Sequence, residues 1–190
     1  MRVGSHGRTW LILLSLVALV LTACTRSHDG NEFNYSSASA AGTVIPAADR
    51  KAAGPLSVQP LDGTEYTLAA QAGKVVVLNF WGTWCPPCVV ETPQFDAVYR
   101  SRKSQGVSFL GVDVKDAKDA VRSFVHDKDI TYPIAFDYKA KTMIQLGHVP
   151  ATSLPVTVLI DKQGRVAAVY LHRVFPADLN PVLDKLLAER

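Results

Sequence analysis

The sequence predicts an α/β protein: a mixed central sheet flanked by helices in three layers, with an N-terminal hairpin extension. Three observations predict it. Runs such as Val75-Val76-Val77-Leu78-Asn79-Phe80-Trp81 are apolar almost throughout, as in strands covered on both faces. Stretches with apolar residues at helical spacing alternate with these runs. The order reads β-α-β-α-(β-α)-β-β-α, so parallel units come first and an antiparallel hairpin comes near the end.

Leu61-Asp62-Gly63-Thr64 is a turn signal between two short extended stretches, which predicts an opening hairpin. Val75 to Trp81 is the first buried strand. A helix is expected from Pro86 to Ser101, because proline suits a first turn whose N–H has no helical partner. Pro93 falls inside it and is expected to kink it. Val107 to Val114 is the second buried strand. Asp116 is the expected cap of the next helix, which runs to about Lys128 with Ala117, Ala120, Val121, Phe124 and Val125 at helical spacing. Tyr132 to Phe136 reads as a short strand and Lys139 to Leu146 as a short helix. Pro155–Ile160 and Arg165–Leu171 are strands joined by the turn Asp161-Lys162-Gln163-Gly164. A last helix places Val182, Leu183, Leu186 and Leu187 on one face, with Asn180 as cap and Pro181 as first residue.

The segment before Pro55 reads differently. Arg2 and Arg8 precede an apolar run, Leu11 to Leu21, broken only by Ser15. A positive start and a short apolar run read as a secretory signal over residues 1–23, and the run is short for a span of about 20 residues. An uncleaved anchor is the alternative. Leu21-Thr22-Ala23-Cys24 resembles the bacterial lipobox, which implies a lipid on Cys24. An ordinary cleavage site beside a chance cysteine is the alternative. Residues 24–54, rich in Ser, Ala, Gly and Asn, read as a lipid-attached flexible tether. The globular domain is then 55–190.

The 20 Lys and Arg against 17 Asp and Glu give a net charge of +3, or about +1 without Arg2 and Arg8. No basic run appears, so the chain lacks the electrostatic footprint of a nucleic-acid binder. Three cysteines are too few for a disulfide-stapled scaffold.

Trp84-Cys85-Pro86-Pro87-Cys88 sits where a buried strand ends and a helix begins. Disulfide exchange needs one accessible thiolate to attack and a second thiol to resolve. Two intervening residues at a helix start bring both sulfurs onto one turn, and the positive helix end favours the first thiolate. Cys85 is the expected nucleophile and Cys88 the resolving thiol. A zinc half-site is the rival, but no second cysteine pair exists and His126, His148 and His172 are scattered. A peroxidatic cysteine is a second rival. Its Pro-x-x-x-Thr-x-x-Cys pattern meets Leu78 and Gly82 here.

The run Phe80 to Cys88, Pro93, and Ser153 to Asp161 together resemble the thioredoxin fold, and more closely the extracytoplasmic TlpA/ResA/DsbE-like group of thiol–disulfide oxidoreductases. The resemblance covers Pro55 to Arg190. It implies that Pro155 is a cis-proline facing a Cys85–Cys88 redox disulfide, and that the backbone of Leu154 aligns a substrate strand. The alternative is an ordinary strand-start proline. Glu91, three residues after Cys88, matches an acid this group places near the disulfide; a solvated acid near a helix N-terminus is the alternative. Asn79 departs from thioredoxins proper, which carry a titratable Asp there. Trp84 shields the sulfurs; Trp81 is open between that role and the core.

The resemblance implies an enzyme on the outer side of a bacterial membrane, held by lipid and expected to be a monomer. Its partners are a client protein, apocytochrome c for this group, and a membrane thiol carrier as electron donor. No cofactor and no metal are expected. An oxidase running the same chemistry in reverse, and a non-catalytic binding lipoprotein, are the alternatives.

Overall fold

The computed structural model describes residues 42–147 and 153–189. The signal region, Cys24, most of the expected tether and His148 lie outside the described residues.

Among the described residues, eight strands form two sheets. β1 (Thr43–Val44), β4 (Val75–Trp81), β5 (Val107–Val114), β6 (Ile134–Asp137), β7 (Val156–Ile160) and β8 (Val166–Tyr170) make one sheet in the order β1-β8-β7-β4-β5-β6. β4, β5 and β6 run parallel, while β7 is antiparallel to β4 and to β8. β2 (Ser57–Val58) and β3 (Tyr66–Thr67) pair as the expected hairpin. Gly63 takes φ +86° at its turn, and the Asp62 carboxylate accepts the Thr64 N–H at 3.0 Å.

Every residue of β4 is buried because both faces of the sheet are covered. Val75, Val77 and Trp81 point to one side. There they meet Phe95 and Val98 of α1 (Pro86–Arg102), Val121 of α2 (Lys118–Asp127) and Leu179, Leu183 and Leu186 of α4 (Pro176–Ala188). Val76, Leu78 and Phe80 point to the other side, against Leu56, Tyr66 and Met143, the last from α3 (Lys141–Gln145). The layers are therefore three helices, a mixed sheet, and the hairpin with α3. Burying a side chain of this size contributes about 1.5–3 kcal/mol, and because both faces of β4 are apolar it is Asn79, bonded to Glu91 and Thr157, that a one-residue slip would misplace.

Three expectations change. The folded part begins before Pro55: Thr43 and Val44 pair with Val169 and Ala168, Ile45 is buried, and Arg50 is drawn inside. The Arg50 guanidinium donates to Asp161 at 3.1 Å, to Glu189, and through Nε to the Ile45 carbonyl at 3.0 Å. A buried cation with three acceptors anchors a segment whose composition reads as linker. Asp116 does not cap α2, whose N-cap is Ala117; its Oδ2 is taken by Thr83 instead. The last helix starts at Pro176, not Pro181, because Phe175 is extended and Pro176 suits the first turn.

The N-terminal segment also reaches the far edge of the main sheet. Pro60 bridges Ala135 of β6, and the Leu61 N–H donates to the Ile134 carbonyl at 2.8 Å.

Candidate active site

β4 carries Asn79 into the interior and delivers the chain to the Gly82-Thr83-Trp84 loop. Cys85 follows in extended conformation and α1 begins at Pro86. The Cys85 N–H closes a turn on the Gly82 carbonyl at 3.1 Å, and the Cys85 carbonyl accepts the Val89 N–H at 3.1 Å. Gly82 is needed for a close approach: a Cβ there would stand 2.6 Å from the Trp84 indole nitrogen.

Cys85 and Cys88 form a disulfide with Cα atoms 5.3 Å apart. Cys88 is wholly buried and Cys85 nearly so. Trp84 is half exposed, and its indole N–H donates to the Val114 carbonyl at 3.1 Å. The Leu154–Pro155 bond is cis, as the resemblance implies. Leu154 packs against the cluster that holds both cysteines, and with Trp84, Val114 and Met143 it lines a cavity of about 90 Å³. Two larger cavities among the described residues lie elsewhere and are lined by neither cysteine. Neither cysteine lines the small cavity either, but Trp84, next to Cys85 in the chain, and Leu154, at the cis bond, do.

Glu91 sits one turn beyond Cys88 and is fully buried, not solvated. Its Oε1 accepts the Val174 N–H at 2.6 Å and its Oε2 the Asn79 amide at 2.9 Å. The same amide donates to Thr157 Oγ1 at 3.1 Å. Burial pushes the Glu91 carboxyl up to about 7, against the Val174 and Asn79 bonds and the Arg173 charge, which favour the anion. A carboxyl near neutrality can take a proton from a neighbouring thiol and give it back. Trp81 is fully buried, 5.1 Å from the Phe124 ring, and belongs to the core.

The structure brings Cys85, Cys88, Trp84, Leu154 and Pro155 to one end of the sheet and sets Glu91 beneath them. Cys24 lies outside the described residues. Sequence reasoning missed Thr157, the cross-strand neighbour of Asn79. The signal was present: Asn79 and Thr157 are each a polar residue inside an apolar strand. It also missed Asp113, buried at the end of β5, and the hold of Asp116 on Thr83.

Residues 50–169 match the AhpC/TSA family. The thiol–disulfide oxidoreductase ResA of Geobacillus thermodenitrificans is 34% identical over 179 residues, 94% of each chain. That of Bacillus anthracis is 35% identical over 129 residues, 68% of this chain and 73% of its own. Among solved structures, a DsbF homologue from Corynebacterium diphtheriae superposes with TM-score 0.76 at 34% identity, covering 82% of this chain and 98% of the other. A secreted thiol–disulfide isomerase from Corynebacterium glutamicum gives 0.77 at 32%, covering 83% and 98%.

Proposed function

Since the chain belongs to the AhpC/TSA family, has the thioredoxin fold and is a thiol–disulfide oxidoreductase, we propose that it is a membrane-tethered reductase of client-protein disulfides on the outer side of a bacterial membrane. The observation that carries this reading is the Cys85–Cys88 disulfide at the head of α1, with the cis Leu154–Pro155 bond at the same end of the sheet.

In the reduced protein the Cys85 thiolate attacks one sulfur of the client disulfide. A mixed disulfide forms and the other client sulfur leaves as a thiolate, which takes up a proton. Cys88 then loses its proton to Glu91 and attacks Cys85 Sγ. The Cys85–Cys88 disulfide forms and the second client sulfur departs, reprotonated from Glu91. Two electrons and two protons pass to the client. Leu154 offers backbone groups to an extended client segment, and Trp84 covers one side of the approach. A membrane thiol carrier restores the dithiol, and apocytochrome c is the client the resemblance implies. Residues 1–23 are a signal, and a lipid on Cys24 holds the protein at the membrane.

In a second reading the same exchange runs toward disulfide formation. The potential of the Cys85–Cys88 couple separates the two. A value below about −250 mV supports the reductase, and one near about −120 mV sinks it. Cys88→Ser tests the site: mixed disulfides between Cys85 and clients accumulate in cells. Their absence, with the variant present at wild-type abundance, refutes Cys85 as the attacking sulfur.

A further inference from the structure

The exchange mechanism leaves one buried ionisable group unused. Asp113, at the end of β5, is fully buried, and neither carboxylate oxygen has a donor among the described residues. From β4 it faces its register partner Trp81, and from β6 Phe136, neither of which ionises in the working range. α2 turns Val121 inward, while its charged residues Lys118, Asp119, Arg122 and His126 are exposed, as is Lys115. The charged group that acts on Asp113 is Asp116, whose carboxyl lies within hydrogen-bonding reach.

The two carboxyls are served unequally. Asp116 accepts the Thr83 N–H and O–H, both at 2.7 Å on Oδ2, and the Ala117 N–H at 2.7 Å on Oδ1. Asp113 has none of these donors. An ionised, buried carboxylate with no donor beside a second carboxylate is costly, and a single proton on Asp113, donated to Asp116, removes both difficulties. The asymmetry decides which carboxyl holds it: the one with three donors stays the anion.

Asp116 is also the anchor of the loop that precedes Cys85. Thr83 hangs on it by two bonds, and Trp84 is tied to Val114, two residues before Asp116. We propose that Asp113 and Asp116 form a proton-bridged carboxyl pair, and that this pair positions the Thr83-Trp84 loop over the approach to Cys85. Asp113 is a positioning residue; it acts through Asp116 and Thr83 and does not touch the sulfurs. Burial and the Asp116 charge raise the Asp113 carboxyl to about 8, while Asp116 is held low because its donors outweigh its burial. Above that pH two anions meet, the pair parts and the loop loosens.

The functional consequence rests on Cys85 as the attacking sulfur; the pair itself does not. The test follows the Thr83 amide by NMR in the oxidised full chain in detergent micelles, where neither cysteine titrates. The Thr83 resonance is expected to move with a midpoint near about 8. The movement persists in Glu91→Gln and vanishes in Asp113→Asn, whose amide still donates to Asp116 but cannot ionise. A Thr83 resonance that stays flat from pH 5 to 10, or that keeps its midpoint in Asp113→Asn, overturns the proposal. In turnover with a disulfide peptide, Asp113→Asn flattens the alkaline limb of the pH profile. Asp113→Leu, similar in size without a donor, lowers kcat/KM about tenfold at every pH, as displaced reacting groups do. Identical profiles for the two variants overturn the positioning role. If Asp113→Leu fails to fold, the comparison of wild type with Asp113→Asn decides. A Thr83 midpoint without any effect on turnover overturns the positioning role and leaves the pair, whereas failure of the Cys85 assignment shows separately, as absent mixed disulfides in Cys88→Ser.

Discussion

Replacing Glu91 by Gln removes the charge of a fully buried carboxyl while nearly keeping its shape. A glutamine oxygen can accept the Val174 N–H, and its amide can donate to Asn79 once that side chain turns over. The wild-type carboxyl stands at about 7 against an ordinary 4.5, with burial as the main cause. Folding therefore takes up a proton between those values. Stability from this group is fully present below about pH 4.5 and is lost as pH rises through about 7. At about 1.4 kcal/mol per tenfold, the loss is about 3 kcal/mol. Gln has no such loss, so the stability difference between variant and wild type grows by that amount from pH 4.5 to pH 8. For a chain of this length the change is about 6–12 °C in Tm. Taking the difference cancels groups common to both proteins, including Asp113. Urea unfolding of the oxidised proteins, followed by circular dichroism at four pH values, measures it. A difference that stays constant to within about 0.5 kcal/mol across that range refutes the burial argument.

Other perturbations follow from the same geometry. Asp161→Ala leaves the buried Arg50 guanidinium with Glu189 as its remaining carboxylate partner. Unfolding in urea is expected to show a loss of about 3–5 kcal/mol. In the wild type, burial pushes the Asp161 carboxyl up, but the bonds from Arg165 and Arg50 outweigh it, so its contribution disappears only in acid, as pH falls through its lowered value. Gly111→Ala puts a Cβ 2.5 Å from Ile134 Cδ1 and 3.1 Å from Trp81 Nε1, for an expected cost of about 1–3 kcal/mol in thermal unfolding. Cys24→Ala is expected to move the protein from the membrane fraction to the soluble one, and retention at the membrane refutes lipidation.

Strands buried on both faces were the most legible part of the chain. Val75–Trp81, Val107–Val114 and Val156–Ile160 stand out because nothing in such a strand needs to be polar. For the same reason their polar exceptions carry information. Asn79, Asp113 and Thr157 are all fully buried, and only Asn79 drew notice from the sequence. β1 was illegible because two residues carry no period, and its pairing is decided by the open edge of β8, more than a hundred residues away. The cysteine motif was legible because its spacing is local. The environment of Glu91 was not: helical spacing from Cys88 set its direction, but its burial and its bond to Val174 depend on the segment before α4.

A sheet with two open edges can pair with any strand it meets, including its own copy. Here one short stretch of chain disarms both. Thr43 and Val44 occupy the free side of β8, and Pro60 and Leu61 occupy that of β6, so fewer than twenty residues reach from one margin of the sheet to the other. A proline lies at the second margin, where it offers no N–H for a further strand. Wherever copies of the protein come close together, this stretch works as a guard against edge-to-edge pairing. A single proteolytic cut within it would unseal the sheet at two places at once.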